Sequence, residues 1–384
     1  MENFEFFNPV KILFGKGQIT KLRAEVPEGA RVLVTYGGGS IKKNGVYQQV
    51  MENLEGHAVS EFGGVEANPV YETLMKAVEI VKSAHVDFLL AVGGGSVLDG
   101  TKYIAAAAKF AGEPWNILAK GAPVNAAVPL GAVLTLPATG SEMNSFAVIS
   151  RAATQEKLAF SSPLVYPKFS IIDPQVTFTL PARQVSNGIV DSFAHVLEQY
   201  LTYPVNAPLQ DRFSESILQT LIENAPKILA QPPDYDARAV LCWCATMALN
   251  GLIAVGVPQD WATHMIGHEI TALRGLDHAQ TLAIVFPGTM AARRQAKSAK
   301  LLQYAERVWN VRTGTEDQKI DQAIHKTRAF FESVGVKTHL KDYGIGRDIV
   351  ESISQRLLDR GWTTLGERKD IGPKQVEAIL SQSL

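Results

Sequence analysis

The fold is decided by residues 87–96, which read DFLLAVGGGS. The apolar run from Phe88 to Val92 is short and continuous, and glycine ends it. Such a run is typical of a strand that is buried on both faces of a parallel sheet. An alanine-rich helical pattern follows at residues 97–110. Strand, glycine turn and helix in this order predict one repeat of an α/β fold.

The same pattern occurs earlier in the chain. Residues 31–36, RVLVTY, lead into a second GGGS at residues 37–40. Residues 133–136 and 169–172 predict further strands. The first part of the chain therefore predicts a parallel sheet covered by helices on both faces.

Beyond Pro181 the strand signals nearly vanish and helical periodicity takes over. The predicted helices are residues 183–202, 208–229, 237–256, 259–272, 297–310, 318–334 and 347–359. We therefore expect a Rossmann-like α/β domain at residues 1–181 and an all-helical domain at residues 182–384. A cleft between two such domains is the natural place for a ligand site.

Composition excludes several classes of function. The chain has 384 residues and a net charge of −1, so no excess of positive charge favours nucleic acid or an anionic membrane. Cys242 and Cys244 are its only cysteines, and their spacing matches no zinc or redox motif. We interpret them as buried thiols of a reducing cytosol.

Neither the N-terminal residues nor the most apolar stretch of the chain indicates a membrane protein. The N-terminus lacks a basic region followed by an apolar run, so no signal peptide is expected. Residues 239–257 are apolar enough to be checked as a membrane span, but a buried central helix gives the same pattern. We expect a cytoplasmic protein with no membrane or nucleic-acid partner.

The two GGGS turns point to a phosphate-bearing ligand. Glycine allows backbone N–H groups to approach a phosphate closely, and a helix N-terminus adds a favourable partial charge. Gly39 and Ser40 occupy the turn after the first strand, and Lys42 and Lys43 follow. No acid in this turn would repel a 2′-phosphate, and the two lysines could attract it, which favours NADP(H) over NAD(H). The alternative is that both lysines are only solvated surface charges.

The helical half contains a cluster of metal-ligand residue types. Asp191 and His195 are four apart and project side by side on a helix. His264 and His268 form a second helical pair, and His278 follows shortly after. One carboxylate with several imidazoles suits Zn²⁺ or Fe²⁺. Spacing alone does not decide whether His264, His268 or both bind the metal.

These residues together resemble the iron-containing (group III) alcohol dehydrogenase family, and most closely its bacterial NADPH-dependent aldehyde reductase branch. The likeness covers nearly the whole chain. The matching stretches are ILFGKG at 12–17, TYGGGS at 35–40, AVGGGSVLDGTK at 91–102, LTLPATGSE at 134–142, DSFAH at 191–195, GVPQDWATHMIGH at 256–268 and GLDHAQ at 275–280.

The resemblance implies a dehydroquinate-synthase-like fold and assigns roles to individual residues. The implied metal ligands are Asp191, His195, His264 and His278, and His268 would face the substrate without being a ligand. Because histidine suits acid–base work near neutral pH, we expect His268, or a water relayed by it, to be the catalytic group that moves the proton to the substrate oxygen. The implied cofactor contacts are Gly37, Gly38, Gly39, Ser40, Asn68, Gly94, Gly95, Ser96, Asp99, Thr135, Thr139, Asn144 and Lys157. Many family members that use NAD have an acid at the position of Gly39, and this chain does not.

The resulting hypothesis is a metal-dependent alcohol dehydrogenase, or aldehyde reductase, that exchanges hydride between NADP(H) and a small alcohol/aldehyde pair. It needs one divalent metal, Zn²⁺ or Fe²⁺, and the resemblance suggests a homodimer. One alternative is an NAD-dependent primary alcohol or diol dehydrogenase of the same family. A dehydroquinate-synthase-like lyase and a non-enzymatic nucleotide or metal binder are more remote.

Overall fold

The structure is a computed structural model that describes residues 1–384. Its strands are β1 (Lys11–Phe14), β2 (Arg31–Tyr36), β3 (Ala58–Phe62), β4 (Phe88–Gly94), β5 (Leu130–Leu136), β6 (Phe146–Arg151), β7 (Glu156–Ser161) and β8 (Phe169–Ile172). The chain forms two compact units. We call residues 7–181 with 232–246 the sheet unit, and residues 1–6, 182–231 and 247–384 the helical unit.

The helices of the sheet unit are α1 (Leu22–Glu25), α2 (Val46–Asn53), α3 (Tyr71–Ser83), α4 (Gly95–Ala107), α5 (Asn116–Ala119) and, within the segment 232–246, most of α8 (Tyr235–Ala248). Those of the helical unit are α6 (Ala182–Tyr200), α7 (Pro208–Ile228), α9 (Ala262–Arg274), α10 (His278–Ala292), α11 (Ser298–Arg307), α12 (Glu316–Ser333), α13 (Asp348–Asp359) and α14 (Pro373–Ser381). No helix combines the length and the apolar character that crossing a lipid bilayer requires.

The sheet unit is built on six parallel strands in the order β1-β8-β5-β4-β2-β3. The parallel sheet and the helical second half confirm the predicted fold class. Residues 88–93 of β4 are all buried, as the apolar run predicted, and α4 behind them is almost entirely buried. Since β2, β4 and β5 are neighbours, the turns that follow them meet at one edge of the sheet.

Some elements differ from the predictions. The predicted helix 237–256 ends at Ala248, because Gly251 and Gly256 adopt left-handed backbone angles of φ 91° and 67°. Helix α10 was not predicted, since it is buried and apolar on all sides and contains Pro287. The antiparallel hairpin of β6 and β7 was missed as well. A pattern search for amphipathic helices and buried strands does not detect these elements.

Candidate metal centre and cofactor edge

Four side chains of the helical unit meet in one cluster. Asp191, His195, His264 and His278 each offer one ligand-type atom, and these atoms all lie within 4.8 Å of one another. We call these four residues the metal cluster. Asp191, His195 and His264 are buried, whereas the side chain of His278 is 22% exposed. Access to the cluster is therefore easiest at His278.

Helix α6 supplies the first two members. Asp191 and His195 are one turn apart, and Oδ1 of Asp191 lies 3.9 Å from Nε2 of His195. The same oxygen lies 3.7 Å from Nε2 of His278. Burial lowers the pKa of His195 to about 4, against the raising effect of Asp191. The imidazole of His195 is therefore neutral at physiological pH, which is the form that binds a metal.

A carboxylate orients the third member. Nδ1 of His264 lies 2.8 Å from Oε1 of Glu198, and the backbone N–H of His264 donates to the same oxygen at 3.0 Å. Glu198 is itself buried on α6, seven residues after Asp191. With Nδ1 turned towards Glu198, Nε2 is the nitrogen that His264 presents to the cluster.

The fourth member stands at a helix start. His278 is the first residue of α10, and Gly275 ends the preceding helix with φ 71°. Asp277 is fixed there because its backbone N–H donates to Gln280 at 3.0 Å and its carboxylate accepts from Asn187 of α6 at 2.8 Å. These contacts hold the start of α10 next to the helix that carries Asp191.

The donor set fits one divalent cation. Aspartate oxygen and imidazole nitrogen bind Zn²⁺ and Fe²⁺ at about 2.0–2.2 Å, so ligand atoms of one ion lie within roughly 4.4 Å of one another. The spread of 4.8 Å in the cluster is close to that span. Four donors in this arrangement could hold a metal ion, and the donor types do not choose between zinc and iron.

His268 and Trp261 surround the cluster. His268 is buried one turn after His264 on α9, and its ring centre lies 5.2 Å from that of His278. It is not one of the four clustered donors. Trp261 packs edge-on against His264, with ring centres 5.0 Å apart. The indole thus forms an apolar wall beside the histidines, and His268 is a neighbour rather than a member of the donor set.

The predicted cofactor residues lie at or beside the edge of the sheet unit where β2, β4 and β5 end. We call residues 37–40, 94–99 and 135–144 the cofactor edge. Gly39 has φ 88°, a backbone angle that L side chains adopt with strain. A Cβ on Gly95 would collide with the Thr139 side chain. Glycine is favoured at Gly39 by conformation, although a side chain would have space there, and it is required at Gly95 by this close approach.

Polar side chains of the cofactor edge bind one another. Asp99 is half-buried and accepts from the Ser141 hydroxyl at 2.6 Å and from the Val148 N–H at 2.9 Å. Lys102, buried in α4, donates to Ser141 at 2.8 Å and to Asn144 at 3.0 Å. Burial lowers the pKa of Lys102 to about 8, against the raising effect of Asp99. Asp99 and Lys102 therefore shape the turn at residues 139–144.

Two further predicted cofactor residues form a pair beside this edge. Nζ of Lys157, on β7, donates to Oδ1 of Asn68 at 2.9 Å. The hydroxyl of Ser96 donates to the carbonyl of Ala67, next to Asn68. Thr135 is buried near the end of β5. The structure thus brings together residues that lie far apart in the sequence.

Lys42, which we expected to attract a 2′-phosphate, already has partners. Its Nζ lies 3.3 Å from Glu61 and over the rings of Tyr36 and Tyr47, at 4.9 and 4.6 Å from their centres. The hydrogen bond to Tyr36 raises the pKa of Lys42. Lys42 therefore carries its charge beside a carboxylate, and both Lys42 and Lys43 are exposed.

Sequence reasoning missed Glu198 and Lys102. Glu198 continues the face of Asp191 and His195 at the seventh position, a helical spacing that could have revealed it. Lys102 is the one basic residue of the alanine-rich helix α4, which is a signal of a buried, partnered charge. Both side chains form hydrogen bonds with predicted site residues that are distant in the sequence. Residue spacing does not predict such contacts.

Comparison with known proteins shows two family matches that together span nearly the whole chain. The description "Iron-containing alcohol dehydrogenase" matches residues 9–174. The description "Fe-containing alcohol dehydrogenase family, C-terminal" matches residues 185–384. The metal cluster lies within the second match, and the cofactor edge lies within the first.

Individual proteins that are similar to this chain agree with the family matches. The chain is 59% identical over 374 residues to the NADPH-dependent aldehyde reductase YqhD of Escherichia coli strain K12, covering 97% of each chain. It is 45% identical to the probable NADH-dependent butanol dehydrogenase 1 of Bacillus subtilis strain 168, covering 100% of each. The crystal structure of E. coli YqhD superimposes with a TM-score of 0.98 at 56% identity, covering 100% of this chain and 99% of that one.

Proposed function

Since this chain belongs to the iron-containing alcohol dehydrogenase family, we propose that it is a metal-dependent aldehyde reductase that uses NADPH to reduce small aldehydes to alcohols. The observation that carries the proposal is the metal cluster, in which three helices bring one carboxylate and three imidazoles within 4.8 Å of one another. The family decides against the lyase alternative.

The proposal assigns the cation to the helical unit and the dinucleotide to the sheet unit. Asp191, His195, His264 and His278 would hold Zn²⁺ or Fe²⁺. When bound, such a cation supplies Lewis acidity that polarises the aldehyde carbonyl, while the nicotinamide supplies the hydride. The residues that would contact the dinucleotide are Gly37, Gly38, Gly39, Ser40, Asn68, Gly94, Gly95, Ser96, Asp99, Thr135, Thr139, Asn144 and Lys157.

Two side chains near the cluster complete the chemistry. His268 would supply the proton that the product oxygen needs, because an imidazole can both donate and accept a proton and this one lies beside His278. Trp261 would keep water away from the reacting carbonyl, since its indole packs against His264. An apolar wall of this kind suits an uncharged aldehyde.

NADPH is the favoured cofactor for two reasons. Gly39 places no carboxylate at the end of β2, and the E. coli relative is described as NADPH-dependent. The pairing of Lys42 with Glu61 supports a second candidate, an NADH-dependent alcohol dehydrogenase, because that pair offers less net positive charge to a 2′-phosphate. The B. subtilis relative is described as NADH-dependent.

The test is to measure metal and turnover on the same purified protein. We expect elemental analysis to find close to one zinc or iron per chain and aldehyde-dependent loss of NADPH absorbance. Stripping the metal with a chelator should abolish turnover, and adding back Zn²⁺ or Fe²⁺ separately should show which one restores it. NADPH binding, followed by its fluorescence, should survive stripping. Full turnover by metal-free protein would refute the proposal.

The homodimer that the resemblance suggests and the cytoplasmic location that the sequence predicts stay predictions. Light scattering on the purified protein at several concentrations tests the first, with about twice the 41.7 kDa chain mass expected. A panel of small aldehydes and diols with both cofactors identifies the preferred substrate class and settles the choice between NADPH and NADH.

A further inference from the structure

Glu198 makes three hydrogen bonds to the first turn of α9. Its Oε1 accepts from the backbone N–H of His264 at 3.0 Å and faces Nδ1 of the same residue at 2.8 Å. Its Oε2 accepts from the backbone N–H of Trp261 at 3.1 Å. The side chain is 1% exposed. One buried carboxylate from α6 thus binds both the backbone of α9 and the side chain of a metal ligand.

These contacts determine which ring nitrogen of His264 carries the proton. Each oxygen of Glu198 accepts a backbone N–H, which is always a donor, so both oxygens are acceptors here. The ionised carboxylate of Glu198 has only acceptor atoms, so in that form its oxygen at 2.8 Å makes Nδ1 the donor. In a neutral imidazole the other nitrogen, Nε2, then has the lone pair that a cation needs.

The surroundings hold Glu198 in place. Its backbone carbonyl accepts from the N–H of Asp260 at 2.9 Å, and Asp260 pairs with buried Lys297 at 2.6 Å. Lys297 also binds Glu367 at 2.8 Å. At the N-terminus of α9 a carboxylate is favoured, because the first N–H groups of a helix have no partner within the helix. Glu198 is therefore held through its backbone carbonyl by Asp260 and through its carboxylate by the first turn of α9.

We propose that Glu198 is the positioning residue of the metal cluster: it fixes His264 with the proton on Nδ1 and the ring turned so that Nε2 binds the cation. The inference rests on the proposed function, because it presupposes that the cluster binds a metal. Hydrogen-bond partners that orient a ligating histidine typically affect metal affinity by about 10- to 100-fold. Glu198 would thus set how tightly the site retains its cation.

The experiment compares E198Q with E215Q. Glutamine keeps the size of Glu198 but replaces one acceptor oxygen with an N–H₂ group, which repels either the Trp261 N–H or Nδ1 of His264. Glu215 is another buried acid of the helical unit, which binds Tyr200 and Arg307 and touches no ligand of the cluster. E215Q therefore controls for the loss of a buried charge.

Three readouts separate positioning from general stability. We expect Zn²⁺ affinity, measured by competition with a chelator, to fall about 10- to 100-fold in E198Q and to stay unchanged in E215Q. The visible spectrum of Co²⁺-loaded protein should change only in E198Q. Excess metal should restore much of the turnover of E198Q. Unchanged Zn²⁺ affinity and Co²⁺ spectrum in a folded E198Q would overturn the inference.

A measurement on the unaltered protein covers the case that E198Q does not fold. In Zn²⁺-loaded protein with ¹⁵N-labelled histidine, we expect the ring of His264, assigned through its backbone resonances, to show an Nδ1–H resonance. If the His264 proton resides on Nε2 instead, the inference is wrong. If the unaltered protein binds no Zn²⁺ or Fe²⁺ at all, the proposed function fails first, so the two failures are distinguishable.

Discussion

The metal cluster and the cofactor edge are built in opposite ways. The cluster consists of side chains from α6, α9 and α10, with partners such as Glu198 that hold them in place. The cofactor edge is formed largely by backbone at glycine turns, and polar side chains such as Asp99 bind neighbouring groups of the protein. Chemistry at the first should therefore depend on residue identity, and binding at the second on backbone shape and local charge.

Removing one metal ligand should have the largest effect. H264A deletes a donor of the cluster, so we expect bound metal to be lost and kcat/KM to fall on the order of 10³-fold, because Lewis-acid assistance is worth several kcal/mol. NADPH affinity should change little, since the cofactor edge is untouched. Elemental analysis, fluorescence titration and steady-state kinetics measure the three quantities.

The matched control is H325A, which removes an exposed histidine on α12. It should keep both metal and activity. Equal metal content in H264A and the unaltered protein would contradict the contrast between the metal cluster and the cofactor edge, because metal binding would then not depend on the identity of the cluster's side chains.

A substitution of His268 should test proton transfer independently of metal binding. It lies beside the cluster but is not among the four donors. We expect H268A to keep its metal and to lose about 10²-fold in kcat, the lower part of the range for general acid catalysis. Steady-state kinetics with metal analysis on the same sample tests this, and loss of metal together with activity would instead make His268 part of the cluster.

Substitutions in the cofactor edge should have smaller effects than those in the metal cluster, and these effects should differ between NADPH and NADH. G39D introduces a carboxylate where NADP would place its 2′-phosphate, so we expect kcat/KM with NADPH to fall about tenfold or more relative to NADH, since contacts to a charged group are worth about 1.5–3 kcal/mol. The measurement is the ratio of the two kcat/KM values.

G39A is the control for backbone strain, because it places a Cβ at the same left-handed position, φ 88°, without a charge. It should change both cofactors equally. A ratio that is the same in G39D and in the unaltered protein would remove the argument for a 2′-phosphate site at this turn, and would favour the NADH-dependent alternative.

The sequence by itself determined the fold class and the chemical character of the site. The apolar run at residues 88–92 predicted the central strand, because a continuous run of this length is typical of a strand buried on both faces. The spacing of Asp191 and His195 predicted neighbouring ligands on one helix face, since helical geometry is local. Both signals depend only on residues that are close in the chain.

Only the tertiary structure decided which distant residues meet. It placed His264 and His278 next to Asp191, brought Glu198 to Nδ1 of His264, and paired Lys42 with Glu61. Contacts of this kind join different helices or strands, so their geometry is set by how those elements pack, and no residue spacing encodes it. The metal cluster is thus predicted as a set of residue types but becomes a site only through packing.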